Sequence, residues 1–318
     1  MPLTAFVLAL ALSQQPAAAA VPVLPTPAMR PAPAATDVGS PGVHQDQNAG
    51  SLIIVGGGSR PESVTRRFIE LAGGQRGRIL VIPLASSTAE ETGRESAAAF
   101  RAAGIDARSL VPTRNDADAD TIARVLDGIT GVWFSGGDQA RITAVILGTK
   151  LHRALLDLYR RGAVIGGTSA GAAIMSDSML TGSQFQADVD TAVYLGDTYT
   201  RIARNSIQLV DGLGFLPGAL VDQHFVRRER HNRLLSLVLE RPHLVGAGID
   251  EQTAIEVTPS GSWRVLGNSV VIVYDARRSA TTPATDQVLG ATGIRMHVLP
   301  PGATFDPHTG DARLPDLR

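Results

Sequence analysis

Three short apolar runs in this chain each exit into glycines: SLIIVGGGS (51–59), GVWFSGGDQ (131–139) and AVIGGTSAG (163–171). They are too short for buried helices and lack the polar alternation of a half-exposed strand, so each reads as a strand covered on both faces. A fourth run, RILVIPL (78–84), belongs with them. Helical patterns lie between. One spans Pro61 to Ala72, with proline near the first turn; one is SSTAEETGRESAAAFRAAG (86–104), opening on a cluster of N-cap residues; one covers about 140 to 160. This alternation predicts an α/β fold, an open and mostly parallel sheet with helices on both faces.

At 318 residues and 44% hydrophobic, the chain is long enough for a large core. Residues 51–318 read as a single α/β domain, interrupted by a polar, weakly patterned and loop-rich insertion near 178–210. After it come ALVDQHF (219–225), a helix from Phe225 to about Glu240, and short strands in LVGAGID, TAIEVT, SWRVL and SVVIVYD. The closing 40 residues, rich in Pro and Gly, read as strand-poor. Residues 1–20, MPLTAFVLALALSQQPAAAA, hold an apolar run from Ala5 to Leu12 and then small residues suited to cleavage. That run is too short to span a bilayer, and it predicts a signal peptide and a secreted or periplasmic protein, although no Lys or Arg precedes it. Residues 21–50, rich in Pro and Ala, read as a flexible tether. No later segment is apolar and long enough for a membrane helix.

The chemistry concentrates at the glycine turns. Gly167-Thr-Ser169-Ala-Gly171 fits the G-x-S-x-G nucleophile elbow, in which small neighbours let a strand turn sharply into a helix and hold a serine hydroxyl exposed. The helix start offers the Ala170 amide to a developing oxyanion. An elbow needs a second donor from another loop, and Gly136 and Gly137 at the end of a neighbouring strand can supply it. GGGS (56–59) is not in phase with a dinucleotide fingerprint and lacks a ribose-binding acid about 20 residues on; it reads as a glycine turn that can line a site without binding phosphate.

A serine nucleophile needs a base. Of seven histidines, His44 is in the tether, His297 and His308 in the tail, His152 and His231 in helical stretches, and His243 follows a proline. His224 stands at the end of the strand ALV, on the edge where loops meet, and is the preferred base. Asp250 and Glu251, at the end of another strand in GIDEQ, both fit the orienting carboxylate on spacing. Arg227, Arg228, Arg230 and Arg233 follow the histidine. They read either as a solvated basic face or as forks for substrate carboxylates. The chain as a whole is nearly neutral, with 29 Lys+Arg against 30 Asp+Glu, so nothing favours nucleic acid or an anionic membrane surface. Cysteine is absent, which excludes disulfides, thiolate metal sites and a thiol nucleophile.

Taken together, Ser135-Gly-Gly-Asp-Gln139, Gly166-Gly-Thr-Ser-Ala-Gly-Ala-Ala173, Asp222-Gln-His-Phe225 with its arginines, and Gly248-Ile-Asp-Glu251 resemble the cyanophycinases. These are serine peptidases related to dipeptidase E, with a flavodoxin-like fold similar to class I glutamine amidotransferases. The resemblance covers about residues 50 to 275. It implies exopeptidase hydrolysis of cyanophycin, an aspartate backbone bearing arginine on each β-carboxyl, to β-Asp-Arg dipeptides through an acyl-enzyme. It also implies Ser169 as nucleophile, His224 as base and Glu251 rather than Asp250 as orienting acid. Gln139, Asp222, Gln223, Arg228, Arg230 and Arg233 fall where the family lines its substrate pocket, which places Asp222, the nearest unassigned acid to the base, to pair with the substrate guanidinium. No metal or organic cofactor is implied; a homodimer is a family expectation. The alternatives from the residues are an Asp-X peptidase like dipeptidase E, an esterase, or a non-catalytic anion-binding module. A glutaminase is disfavoured, because that relative carries cysteine at the elbow.

Overall fold

The strand and helix patterns of the first half alternate as read. A computed structural model describes residues 50–184 and 199–316. The leader 1–20 and the tether up to residue 49 lie outside the described residues. In chain order the first half contains β1 (Leu52–Val55), α1 (Glu62–Leu71), β2 (Arg78–Ile82), α2 (Ala89–Ala102), β3 (Asp106–Ser109), α3 (Arg114–Ala117), β4 (Gly131–Phe134), α4 (Gln139–Ile146), α5 (Lys150–Arg160), β5 (Val164–Thr168) and α6 (Ala170–Ala173). The strands lie in the order β3-β2-β4-β5-β1, each parallel to its neighbours.

Side chains alternate across this sheet. Ile54, Leu80, Ile82, Val132 and Phe134 pack against α4, α5 and α6, whereas Ile53, Val55, Ile79, Val81 and Trp133 pack against α1 and α2. Helix α1 turns Val64 and Phe68, one turn apart, into that second layer. Phe68 meets Trp133 edge-on at 5.0 Å between ring centroids, and Phe100 of α2 closes the cluster at 5.9 Å from Trp133. Truncating one of these rings would cost about 3–5 kcal/mol. The single helical segment expected over 140–160 is two helices. Gly148, at φ 76°, ends the first, and Thr149 caps the second by accepting from the His152 amide at 3.3 Å.

The second half contains β6 (Ser178–Gln184), β7 (Ile207–Asp211), β8 (Ala219–Gln223), α7 (His231–Glu240), β9 (Val245–Ile249), β10 (Thr253–Val257), β11 (Trp263–Gly267), β12 (Val271–Asp275), β13 (Ala280–Thr281), β14 (Ala291–Thr292), β15 (Arg295–Leu299), β16 (Thr304–Asp306) and β17 (Asp311–Arg313). Strands β10, β11, β16 and β17 extend the main sheet antiparallel from β1, giving nine strands. A second sheet runs β15-β12-β9-β8, and β8 and β9 in it are parallel. Its α7 side is filled by Leu220, Leu234, Leu237, Val238 and Tyr274.

Three sequence expectations are corrected here. The insertion near 178–210 begins and ends in a two-stranded antiparallel ribbon, β6–β7, rather than in loop; few of its residues are buried, among them Met179, Leu180 and Ile207, so the apolar alternation is faint. Residues 185–198 of it lie outside the described residues. The tail is not strand-poor: β15 joins β12, β16 joins β11 and β17 joins β16, β13 and β14 pair with each other, and Leu299, Ala303 and Phe305 fill the core. Helix α7 starts at His231, not Phe225, because His224 and Glu229 both adopt φ 51° and break the helical path. No helix among the described residues is long and apolar enough to cross a membrane.

Candidate active site

The carboxyl ends of the parallel strands converge on Ser169. Its φ of 52° lies in the left-handed region, strain of about 1–3 kcal/mol that its surroundings must hold. They hold it on both sides: the Ser169 amide donates to the Val55 carbonyl at 3.0 Å, and its carbonyl accepts from Ala172 and Ala173 at 2.9 and 3.0 Å. The tight elbow also requires glycine at 171, where a Cβ would stand 2.5 Å from the Phe134 carbonyl oxygen. Sequence, backbone and packing thus all position one half-buried hydroxyl.

His224 follows directly on β8. Its Nε2 lies 2.8 Å from Ser169 Oγ, and its Nδ1 lies 2.7 Å from Glu251 Oε1. A carboxylate only accepts, so Nδ1 carries the proton and Nε2 accepts from the serine hydroxyl. Burial pushes the imidazole below its usual range; the Glu251 carboxylate opposes this, while the nearby Arg228 cation adds to it. A neutral imidazole in this position can take the hydroxyl proton at neutral pH.

Asp250 is turned the other way. Its carboxylate accepts from the Arg227 amide at 2.9 Å and from Ser269 Oγ at 2.7 Å. Spacing left the two acids open; the turn at Gln252, with φ 56°, presents Glu251 to the histidine.

The oxyanion candidates sit beside the serine. A Cβ on Gly136 would come 3.3 Å from Ser169 Cβ and 3.9 Å from its Oγ. Gly137 is one residue further on and packs on the Ala85 carbonyl. Among the described residues, the amide N–H groups of Gly136, Gly137 and Ala170 make no hydrogen bond.

The GGGS turn does more than line the site. The Gly56 carbonyl accepts from the His224 amide at 2.7 Å, and the Gly57 carbonyl accepts from the Gln252 amide at 2.9 Å, so one turn holds both His224 and the residue next to Glu251. Gly57, at φ 113°, leaves no room for a side chain: a Cβ there would stand 2.2 Å from His224 Cε1. Sequence reasoning gave this turn no such role. Its signal was the run of three glycines at the end of a strand.

The substrate-pocket candidates divide. Asp222 and Arg233, placed by sequence to meet substrate charges, are occupied with each other and shut away from solvent, with side chains 0% and 2% exposed. Arg233 Nε donates to Asp222 Oδ2 at 2.7 Å, and Nη2 donates to Oδ1. Burial alone would lower the Arg233 pKa, but the Asp222 carboxylate more than offsets it and raises it. Arg233 Nη1 also donates to the Tyr199 hydroxyl at 2.6 Å, which donates to the Gly182 carbonyl of β6 at 3.1 Å. Neither a solvated basic face nor a free acid for a guanidinium describes this pair. Arg230, also buried, donates to the Gln223 carbonyl at 2.8 Å and to the Gln223 side-chain oxygen. Gln139 uses its amide nitrogen on the Leu180 and Thr181 carbonyls at 2.8 and 3.0 Å. Arg228 is half-buried and close enough to His224 to affect its proton affinity. Among the described residues, no group of three or more His, Cys, Asp or Glu could hold a metal ion.

The model of peptidase family S51 matches residues 52–262. A cyanophycinase of Synechococcus elongatus is 32% identical over 277 residues, covering 84% of this chain and 82% of that protein. A cyanophycinase of Trichormus variabilis is 28% identical over 265 residues, covering 80% and 85%. Among solved structures, a peptidase from an acI-B1 Actinobacterium superposes with a TM-score of 0.57 at 22% identity, over 76% of this chain and 96% of that one. That likeness shows the shared α/β fold.

Proposed function

This chain belongs to peptidase family S51 and is a serine-type hydrolase, and we propose that it hydrolyses cyanophycin to β-Asp-Arg dipeptides with Ser169 as nucleophile, His224 as base and Glu251 as orienting acid. The observation that carries the proposal is the continuous hydroxyl–imidazole–carboxylate chain, 2.8 and 2.7 Å, built on a strained elbow. In the first step Ser169 Oγ attacks the scissile carbonyl while its proton passes to His224 Nε2. The carbonyl oxygen becomes an oxyanion facing the amides of Gly136, Gly137 and Ala170. Collapse expels the amine, which takes the proton from His224 and leaves an acyl-enzyme. Water then attacks the ester with the same base, returning the proton to Ser169. Glu251 holds the imidazole in its Nδ1–H tautomer throughout and stabilises the cation that forms.

The substrate reading is supported by the cyanophycinases among the relatives and by the arginines gathered beside His224. Incubating the purified protein with cyanophycin and weighing the soluble products tests it. β-Asp-Arg is the expected product. Release of aspartyl dipeptides from ordinary Asp-X peptides, with the polymer left intact, would replace it with an activity like that of dipeptidase E.

A further inference from the structure

Arg60 leaves the GGGS turn two residues after Gly58, whose α-hydrogen side faces Glu251, where a Cβ would stand 3.1 Å from that side chain. Its guanidinium sits against two rings of the α1–α2 layer that stand edge-on to each other, with Cζ 4.3 Å from the Trp133 centroid and 4.8 Å from that of Phe100. Nε donates to Thr65 Oγ1 at 2.8 Å. Among the described residues, the two terminal nitrogens have no acceptor and no carboxylate forms an ion pair with them. Burial therefore acts unopposed and lowers the pKa to about 10. A cation held on aromatic faces without an anion is costly to desolvate, and the missing partner is an acceptor of the right charge.

Among the described residues, two more hydroxyls near this layer lack partners. Ser135 is 4% exposed and its Oγ has no hydrogen bond; nor does Thr168 Oγ1. Trp133 pairs with Gly166 and Phe134 with Gly167. Ser135 and Thr168 come next after that last pair, two residues along from Trp133 and Gly166, so strand alternation directs both side chains toward the Trp133 face. Thr168 immediately precedes the nucleophile, and Ser135 immediately precedes Gly136.

We propose that Arg60, with the hydroxyls of Ser135 and Thr168, forms a carboxylate subsite flanking Ser169. It rests on the substrate reading only for the identity of its ligand: a unit of the polymer carries a carboxylate on the arginine, and its chain end carries one on the aspartate backbone. The planar fork of Arg60 suits either one.

The test reads protection of Ser169 from a phosphonylating reagent by β-Asp-Arg, by its arginine carboxamide and by its aspartate α-carboxamide. Amidating the carboxylate that binds should raise the half-protecting concentration for the wild-type protein on the order of ten- to a hundredfold, as loss of a charge-assisted hydrogen bond implies. Arg60→Met, which keeps an apolar stem on the rings, should show that raised value with the unmodified dipeptide and no further rise on amidation. Whichever amide fails to protect identifies the carboxylate. Should Arg60→Met not fold, the double variant Ser135→Ala, Thr168→Val leaves the stacked arginine in place and should give a smaller rise with the same probe dependence. Wild-type protection by all three probes alike, no protection by any, or a loss in Arg60→Met equal for all three would overturn the subsite. If cyanophycin stays intact while the protection pattern holds, the substrate reading fails and the subsite stands.

Discussion

Replacing Asp222 with asparagine separates two accounts of the residues around His224. As a free acid selecting the substrate guanidinium, Asp222 could be neutralised at little cost to the fold. In the structure it is, among the described residues, the only carboxylate paired with Arg233, a guanidinium 2% exposed, through two charge-assisted hydrogen bonds, and it also lies 3.8 Å from the buried Arg230. Removing one charge of such a pair leaves the other buried and uncompensated, about 3–5 kcal/mol out of a total stability of about 5–15. Thermal unfolding should therefore move down on the order of ten degrees. Turnover should fall for every substrate alike, since His224 lies two residues along the strand. Removing both charges, Asp222→Leu with Arg233→Met, should recover much of the loss, because the pair's desolvation cost disappears with it. Denaturant titrations of the two single variants and the double variant measure the coupling directly. A stable Asp222→Asn protein whose only defect is a weakened preference for arginine over lysine side groups would refute the reasoning.

Other consequences follow from the same geometry. Burial depresses the His224 pKa, and the base must be neutral, so the acid limb of kcat/KM should have its midpoint below about 6.5 and a plateau above it. The same group stabilises the fold above about pH 6.5, and that contribution fades as pH falls through the lowered value. In Glu251→Gln, which loses a group that raises this pKa, residual activity should show its limb at still lower pH; a shift upward would contradict the assignment. Gly57→Ala should fold yet lose most turnover, because its methyl must displace the His224 ring from a position 2.2 Å away; unchanged kcat would show the ring has room to move. Finally, we expect export, so full-length chain made in a bacterial host should be recovered outside the cytoplasm with a new amino terminus near Ala17–Ala20. Recovery of the intact chain in the cytoplasm would remove that expectation.

Much of this site was legible because its signals are local. The elbow is a strand, small residues and a helix start within nine positions, and backbone sterics read the same way in sequence and structure. His224 was placed by a strand end. What was not legible depends on where chains meet. Asp250 and Glu251 are adjacent, and only the backbone twist at Gln252 decides which faces the histidine. The Asp222–Arg233 pair was missed because a polar face on this helix was read as solvated, whereas α7 is buried on nearly every side, at Ser236, Leu237 and Leu239 as well as at Leu234 and Val238. The tail strands are two to five residues long, too short to show a clear period, and β15 and β16 depend on edges built by β12 and β11.

The central claim is that one serine, Ser169, performs the hydrolysis of cyanophycin. Titrating a phosphonylating reagent against cyanophycin-degrading activity tests it most directly, with the labelled peptide identified by mass. Activity should fall in proportion to label and vanish at roughly one label per chain, all of it on the peptide containing Ser169, and Ser169→Ala should take up none. Undiminished release of β-Asp-Arg from protein fully labelled at Ser169, or from Ser169→Ala, would contradict the account.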